Sequence, residues 1–136
     1  LLRSEDELFE RLDNLPYYTF INIGLESCDT PTLAQIGKPL DKTEVLEAFD
    51  KMVEINATYR NIEVTGNFVI GKGLSDDHYQ SLKELLRNAL VTSNAKGTIY
   101  LSPLKDSHKK RELLPLINEI KEQSKIPTYI YLIHRL

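Results

Sequence analysis

The stretch INIGLESCDTP at 21–31 places three chemically capable side chains directly after an apolar run. Glu26 offers a carboxylate, Ser27 a hydroxyl and Cys28 a thiol. Ligands of parallel α/β sheets gather at the carboxyl ends of the strands. We therefore expect Glu26 and Ser27 at a binding rim, where the bare backbone of Gly24 lets another group approach closely.

Polar residues and glycines also end the later apolar runs. The run NFVIGKG contributes Asn67, Ile70 and Gly71 to the expected rim. A rim with a carboxylate, an amide, hydroxyls, bases and glycines suits a polar molecule that carries an apolar ring. The ends of the third and fourth runs add Ser102, Lys105, His134 and Arg135.

Simpler structural roles are open to each of these residues. Glu26 could pair with Lys38 or cap a turn, and Asn67 could satisfy backbone groups beside Gly66. The glycines of GKG at 71–73 could serve a turn. The GxxxxGK[ST] spacing of a phosphate-binding loop is absent there.

Cysteine and histidine usage argues against thiol and zinc chemistry. Cys28 is the only cysteine and has no histidine near it in sequence, so we do not expect a catalytic thiol or a disulfide. His78, His108 and His134 lack zinc-ligand spacing. A single cysteine is typical of a reducing compartment, so a cytoplasmic location is expected.

Length and composition indicate a globular protein. The chain has 136 residues, 41% hydrophobic and 27% charged, with a formal net charge of −3. We expect one domain over residues 1–136. The acidic balance predicts no nucleic-acid partner, and no apolar run is long enough to predict a membrane span.

The apolar periodicity alternates between helix and strand along the chain. β-branched and aromatic runs predict four strands, separated by segments of helical period that make the order α-β-α-β-α-β-α-β. This alternation predicts an α/β fold with a parallel sheet. The predicted strands are 17–25, 61–71, 97–102 and 127–133, and a short helical turn is predicted at 31–37.

Three helix boundaries have specific signals. Asp41 with Glu44 predicts a capping box, and Ser75 predicts an N-cap. Pro115 inside the helical pattern 107–124 predicts a kink or a late helix start.

The order of these motifs resembles the radical S-adenosylmethionine (radical SAM) superfamily. INIGLESCDTPTLAQIGKPLDKTEVLEAF is similar to its fourth-strand segment, which has an apolar strand, G-x-E-S, a short helix and I-G-K. NFVIGKGLSDD is similar to the next strand, which ends in a pattern like FIIGLPGE. The resemblance implies that residues 5–136 form half of a TIM-like partial barrel, with about four strands and four to five helices.

The same resemblance implies cofactor contacts. Glu26 would face the ribose or amino acid moiety of S-adenosylmethionine with Ser27 beside it, and Lys38 would reach the methionyl carboxylate. Asn67 would be a polar contact on the next strand, and residues 69–71 would line the adenine. The implied site residues are therefore Glu26, Ser27, Lys38, Asn67, Ile70 and Gly71.

The chain lacks the CxxxCxxC loop that holds the [4Fe–4S] cluster of this superfamily, and it lacks the first three strands. We therefore expect a C-terminal part of a radical SAM core, inactive by itself. Because the chain begins with Leu1 rather than Met, we expect it to be a piece of a longer protein. The parent would use the cluster and S-adenosylmethionine on an unknown substrate.

The expected partners of the isolated chain are the missing N-terminal half, or a second copy that dimerises or swaps elements at the uncovered edge 17–25. The alternative is a small α/β binding or interaction module without catalysis. A receiver-like signalling domain would need an acidic cluster after the first strand, which Glu26 alone does not supply.

Overall fold

The computed structural model describes residues 6–89, 96–104 and 110–131 of the chain. Within these residues four strands alternate with five α-helices and one 3₁₀ turn. The strands are β1 (Thr19–Glu26), β2 (Ile62–Ile70), β3 (Ile99–Pro103) and β4 (Thr128–Ile130). The α-helices are α1 (Asp6–Asp13), α2 (Thr30–Gln35), α3 (Lys42–Thr58), α4 (Asp76–Arg87) and α5 (Leu114–Gln123), and the 3₁₀ turn is Lys110–Leu113.

The four strands form one parallel sheet in the order β1-β2-β3-β4. Sequential order without reversal keeps every crossover on the same side of the sheet. The α/β class, the parallel sheet and the alternating βα units are thus as predicted. The arrangement is that of half a TIM-like barrel.

The strands are staggered along the sheet. Thr19 of β1 is level with Ile62 of β2, whereas β3 and β4 begin at Ile99 and Thr128, both level with Gly66. From Ile62 to Gly66 is four residues, so β3 and β4 start about four residues later than β1 and β2. A stagger of this kind accompanies the strand tilt of a barrel.

The predicted helix caps are present. The Asp41 carboxylate accepts from the Glu44 amide at 2.9 Å, and the Glu44 carboxylate accepts from the Asp41 amide at 3.4 Å. Ser75 accepts from the His78 amide at 3.2 Å. These bonds satisfy amides that the first turn of a helix leaves without partners.

The late helix start predicted at Pro115 is also present. The 3₁₀ turn Lys110–Leu113 comes first, and α5 then begins at Leu114 with the proline in its first turn. Strand boundaries agree with the predictions to within two residues, except at the end of the fourth predicted strand. Residues 132–133 of that strand lie outside the described residues.

One face of the sheet packs against the helices and forms the core. A Cβ on Gly66 would lie 3.0 Å from Leu25 Cδ1 and 3.4 Å from Met52 Sδ, so this glycine lets α3 approach β2. Between α4 and α5, Lys83 pairs with Glu119 at 2.8 Å. The core side chains of the sheet are Leu25, Ile62, Val64, Phe68, Ile70, Ile99 and Leu101.

The other face of the sheet has no helix against it among the described residues, and we call it the open face. Alternation and register assign its residues, because paired residues of neighbouring strands share a face. Several of them are exposed aromatics, including Phe20 at 68% and Tyr129 at 53%. The open face comprises Phe20, Asn22, Gly24, Glu63, Thr65, Asn67, Val69, Tyr100, Ser102 and Tyr129.

None of the helices within the described ranges is long and apolar enough to cross a bilayer. Helix α1 is described from Asp6 onward.

Candidate functional site

The last residue of β1 has an unusual backbone. Glu26 has φ 69°, which is uncommon for a residue with a side chain. The Ser27 amide donates to the Leu25 carbonyl at 2.8 Å, so Glu26 is the centre of a γ-turn. The pairing of β1 with β2 is also irregular between Gly24 and Glu26. Bulges of this kind redirect a side chain at a strand end.

The redirected Glu26 side chain lies above Gly24. A Cβ on Gly24 would be 2.6 Å from Glu26 Oε1 and 3.5 Å from Lys38 Nζ. The carboxylate and the ammonium group therefore share the space that the missing side chain leaves. Burial raises the pKa of Glu26, and the positive charge of Lys38 opposes that rise. Within the described residues no nitrogen–oxygen contact of 4.0 Å or less joins the two groups.

Lys38 reaches this position because α2 ends in a tight turn. Gly37 has φ 75°, its amide donates to the Ala34 carbonyl at 3.1 Å, and the Lys38 amide donates to the Leu33 carbonyl at 2.9 Å. These two bonds form the Schellman motif that ends many helices. The I-G-K sequence thus has a direct structural role, which is to turn the chain so that the lysine returns to β1.

Asn67 lies beside this pair on the open face. It is the register partner of Gly24 in β1 and of Tyr100 in β3. Its Oδ1 atom is buried and has no hydrogen-bond partner. A buried acceptor without a donor costs about 1–3 kcal/mol. A ligand with an N–H or O–H group would offset that cost.

Ser27 does not contribute to this surface. It is fully buried, and its hydroxyl lies 2.7 Å from His78 Nδ1. His78 Nε2 lies 2.8 Å from the Val69 carbonyl, which can only accept. Nε2 therefore carries the proton, and Ser27 donates to Nδ1.

The Ser27–His78 pair holds the ends of β1 and β2 against α4. Burial lowers the pKa of His78, which keeps the imidazole neutral. Both side chains are 0% exposed, so the pair is unsuited to attack a substrate. Ser27 also accepts from the Asp29 amide at 3.0 Å, and Asp29 accepts from Thr32 and Ser75. The sequence gives no spacing signal for this network, because its members come from β1, α2 and α4.

The two other predicted residues lie at the end of β2. Ile70 is 0% exposed and belongs to the core face, so its side chain is on the opposite side of the sheet from Asn67. The Gly71 amide donates to the Tyr79 hydroxyl at 3.0 Å, and that hydroxyl donates to the Gly71 carbonyl at 2.6 Å. Of the stretch 69–71, it is Val69 that shares the open face with Asn67.

The remaining candidates do not join the site. Cys28 is 1% exposed, and burial raises the pKa of its thiol to about 12, as expected for an inert core cysteine. Lys72 pairs with Glu112 at 2.9 Å on the surface. Among the described residues no three acidic, histidine or cysteine side chains are grouped to hold a metal ion. Lys105, His108, His134 and Arg135 lie outside the described residues.

A separate groove of about 740 Å³ lies between α3 and α4 on the helical side. It shares no residue with the site at Glu26.

The sequence matches no known protein family, no curated protein and no solved structure. The fold and the geometry of the site therefore carry the functional argument.

Proposed function

We propose that this chain is the S-adenosylmethionine-binding half of a radical SAM core. One observation carries the proposal. Glu26 and Lys38 converge over Gly24, beside the unpartnered Oδ1 of Asn67, on the open face at the carboxyl ends of β1 and β2. These three polar groups come from separate parts of the sequence, and all three belong to the set that the resemblance implies.

The chemistry of the three groups fits S-adenosylmethionine. Its methionyl carboxylate needs a cation, which Lys38 supplies. Its ammonium group and ribose hydroxyls need acceptors, which Glu26 and Asn67 Oδ1 supply. Tyr100 lies across from Asn67 on β3, and Val69 lies two residues further along β2. Both offer apolar cover for the purine. Ser27 and His78 support the site by fixing the two strand ends.

The iron–sulfur cluster of the superfamily does not fit the residues of this chain. A [4Fe–4S] cluster needs three thiolates in the superfamily's pattern, and Cys28 is a single buried thiol of raised pKa. The radical chemistry is therefore proposed only for a parent that supplies the cluster from other residues. This chain's share is to bind and orient the cofactor.

A titration with S-adenosylmethionine, or with its stable analogue S-adenosylhomocysteine, tests the proposal. We expect amide NMR signals of residues 24–27, 38 and 67–71 to shift. Glu26→Gln and Lys38→Met should each raise the Kd at least about tenfold, the loss expected for one charge-assisted hydrogen bond. Glu47→Gln and Lys125→Met, at exposed positions outside the site, should leave the Kd unchanged. Binding that ignores both site variants, or no binding, would overturn the assignment.

The second candidate function is a binding module without radical chemistry. The buried, lone Cys28 favours it over an active radical enzyme within this chain. The coding sequence upstream of Leu1 separates the two. If the chain belongs to a radical SAM core, we expect a CxxxCxxC motif roughly 80–130 residues before Leu1, because that is the length of the missing βα units. A gene without those cysteines leaves the site at Glu26 as part of a binding module.

A further inference from the structure

We infer that the open face and the two sheet edges form an interface with a second copy of this chain, which closes an eight-stranded parallel barrel. In that arrangement β4 of each copy pairs with β1 of the other, and the open faces become the barrel interior. The inference concerns the chain by itself and agrees with the second candidate function, the binding module, because in a radical SAM parent the N-terminal half would occupy the free edge of β1.

Strand arithmetic supports a second copy as the occupant. The described sheet has four parallel strands in sequential order, and β1 and β4 each have one neighbour. The stagger over those four strands is about four residues. A closed barrel of eight strands has a shear of about eight residues. Two copies related by a two-fold axis along the barrel supply the required number of strands, and twice four residues equals the required shear when β4 and β1 pair across the two junctions without a further offset.

The composition of the open face supports burial. Tyr18 packs against Phe20 at 4.9 Å between ring centroids, and Tyr100 packs against Tyr131 at 5.5 Å. These rings place Tyr18 and Tyr131 on the open face. Phe20 is 68% exposed, Tyr129 53%, Tyr18 46% and Tyr131 41%. Four large aromatics left this open on one sheet face are unusual for a surface that stays in water.

The area is of the right order for a dimer. The exposed parts of these four side chains amount to about 400 Å² in each copy, since a large aromatic buries 150–250 Å². A stable dimer buries about 800 Å² per partner. The unpaired backbone of β1 and β4 and the exposed Asn22 side chain add to the aromatic area. Pairing both edges also removes the exposed strand edges that promote aggregation.

Closure would complete the candidate site. Glu26 ends the edge strand β1, so one side of the site is open in a single copy. In the closed barrel the carboxyl end of the partner subunit's β4 lies next to it. The second copy would therefore provide the missing wall of the site.

The test measures mass and edge protection without any ligand. Light scattering after size exclusion should give twice 15.6 kDa. The backbone amides on the outer edges of β1 and β4 have no strand partner in a single copy. In the dimer we expect these amides to exchange slowly with deuterium. Phe20→Asp together with Tyr129→Asp should raise the dimer Kd by about 30-fold or more, as for a hot spot. Leu114→Asp, equally exposed on α5, should leave the Kd unchanged.

Two results would overturn the inference. One is a chain that stays monomeric at high concentration. The other is a dimer whose edge amides exchange freely, because open faces that merely stack leave the edges unpaired. Circular dichroism of the variants checks folding, and their exposed positions make unfolding unexpected.

Discussion

At the scale of the residue, two glycines on opposite faces of the sheet have opposite roles. A Cβ at Gly24 would meet the flexible end of Glu26, whereas a Cβ at Gly66 would meet core atoms of Leu25, Met52 and Ile99. We expect Gly24→Ala to keep the stability and to weaken ligand binding, because the carboxylate has to move. Gly66→Ala should instead destabilise the fold by about 1–3 kcal/mol through overpacking.

Urea unfolding and cofactor titration on both glycine variants check this pair. The two substitutions add the same methyl group and serve as controls for each other. Equal loss of stability in both would contradict the view that only one face of the sheet is a packed core.

The backbone at Glu26 predicts a conflict between binding and stability. A residue with a side chain at φ 69° costs about 1–3 kcal/mol, and glycine adopts this conformation without that cost. Glu26→Gly should therefore raise the free energy of unfolding by about 1 kcal/mol while it abolishes the proposed cofactor contact. Chemical denaturation measures the gain. A destabilised variant would show that the carboxylate supports the fold more than the turn strains it.

Strand-end positions predicted part of this site. Glu26 and Asn67 lie at the same rim because strand ends of a parallel sheet share an edge. Lys38, which the resemblance implied, reaches them through the turn at Gly37. Ser27 does not join them, because the γ-turn at Glu26 sends consecutive side chains to different sides of the rim. Local spacing cannot predict such a turn, since its stability depends on contacts such as Ser27 with His78.

At the scale of the element, the stagger of the sheet leaves a gap that a helix side chain fills. β3 begins level with Gly66, so Val64 has no β3 neighbour among the described residues. Asn56 of α3 takes that place. Its amide group donates to the Val64 carbonyl at 3.0 Å, and its carbonyl oxygen accepts from the Val64 amide at 2.7 Å. The side chain is 2% exposed.

Asn56→Ala should destabilise the protein by about 3 kcal/mol, because it leaves two buried backbone groups without partners. Thermal and urea unfolding give the difference. Asn88→Ala, at the exposed end of α4, is the matched control and should change little. A loss below about 1 kcal/mol would mean that water replaces the side chain at Val64.

Individual helices and strands were easier to predict than the contacts between them. Caps such as Asp41 and Ser75 act within four residues, so the sequence pattern sufficed for the helix starts. The bond between Asn56 and Val64 depends on where β3 begins, which is a property of the whole sheet. No helical periodicity distinguishes Asn56 from an ordinary buried position in α3.

At the scale of the whole molecule, the alternation of periods predicted the parallel sheet, and the resemblance to the radical SAM superfamily implied its half-barrel form. The alternation did not predict how large and how aromatic the open face is, because aromatic residues such as Phe20 and Tyr129 are typical of any strand. Strands buried on both faces are apolar throughout. Here the open face is mixed, which fits a barrel interior better than a helix-covered layer.

Stability of the whole molecule should fall on mild acidification because of His78. Burial lowers its pKa below 6.5, so the unfolded chain binds a proton in a range where the native chain does not. The contribution of neutral His78 is complete above about pH 6.5 and is lost as the pH falls through the lowered native pKa. Glu26 acts with the opposite sign, because its pKa is raised: its contribution is complete below about pH 4.5 and is lost as the pH rises.

Unfolding free energies of the Glu26→Gln variant, measured between pH 7.5 and 5, therefore isolate the histidine. We expect them to decrease toward pH 5, and the decrease should disappear when His78→Gln is added. Replacing His108 and His134 by glutamine should leave the decrease in place. If the free energy of unfolding still decreases toward pH 5 in the variant without His78, another group causes the acid sensitivity. It would also remove the case for the imidazole as the neutral link between the ends of β1 and β2.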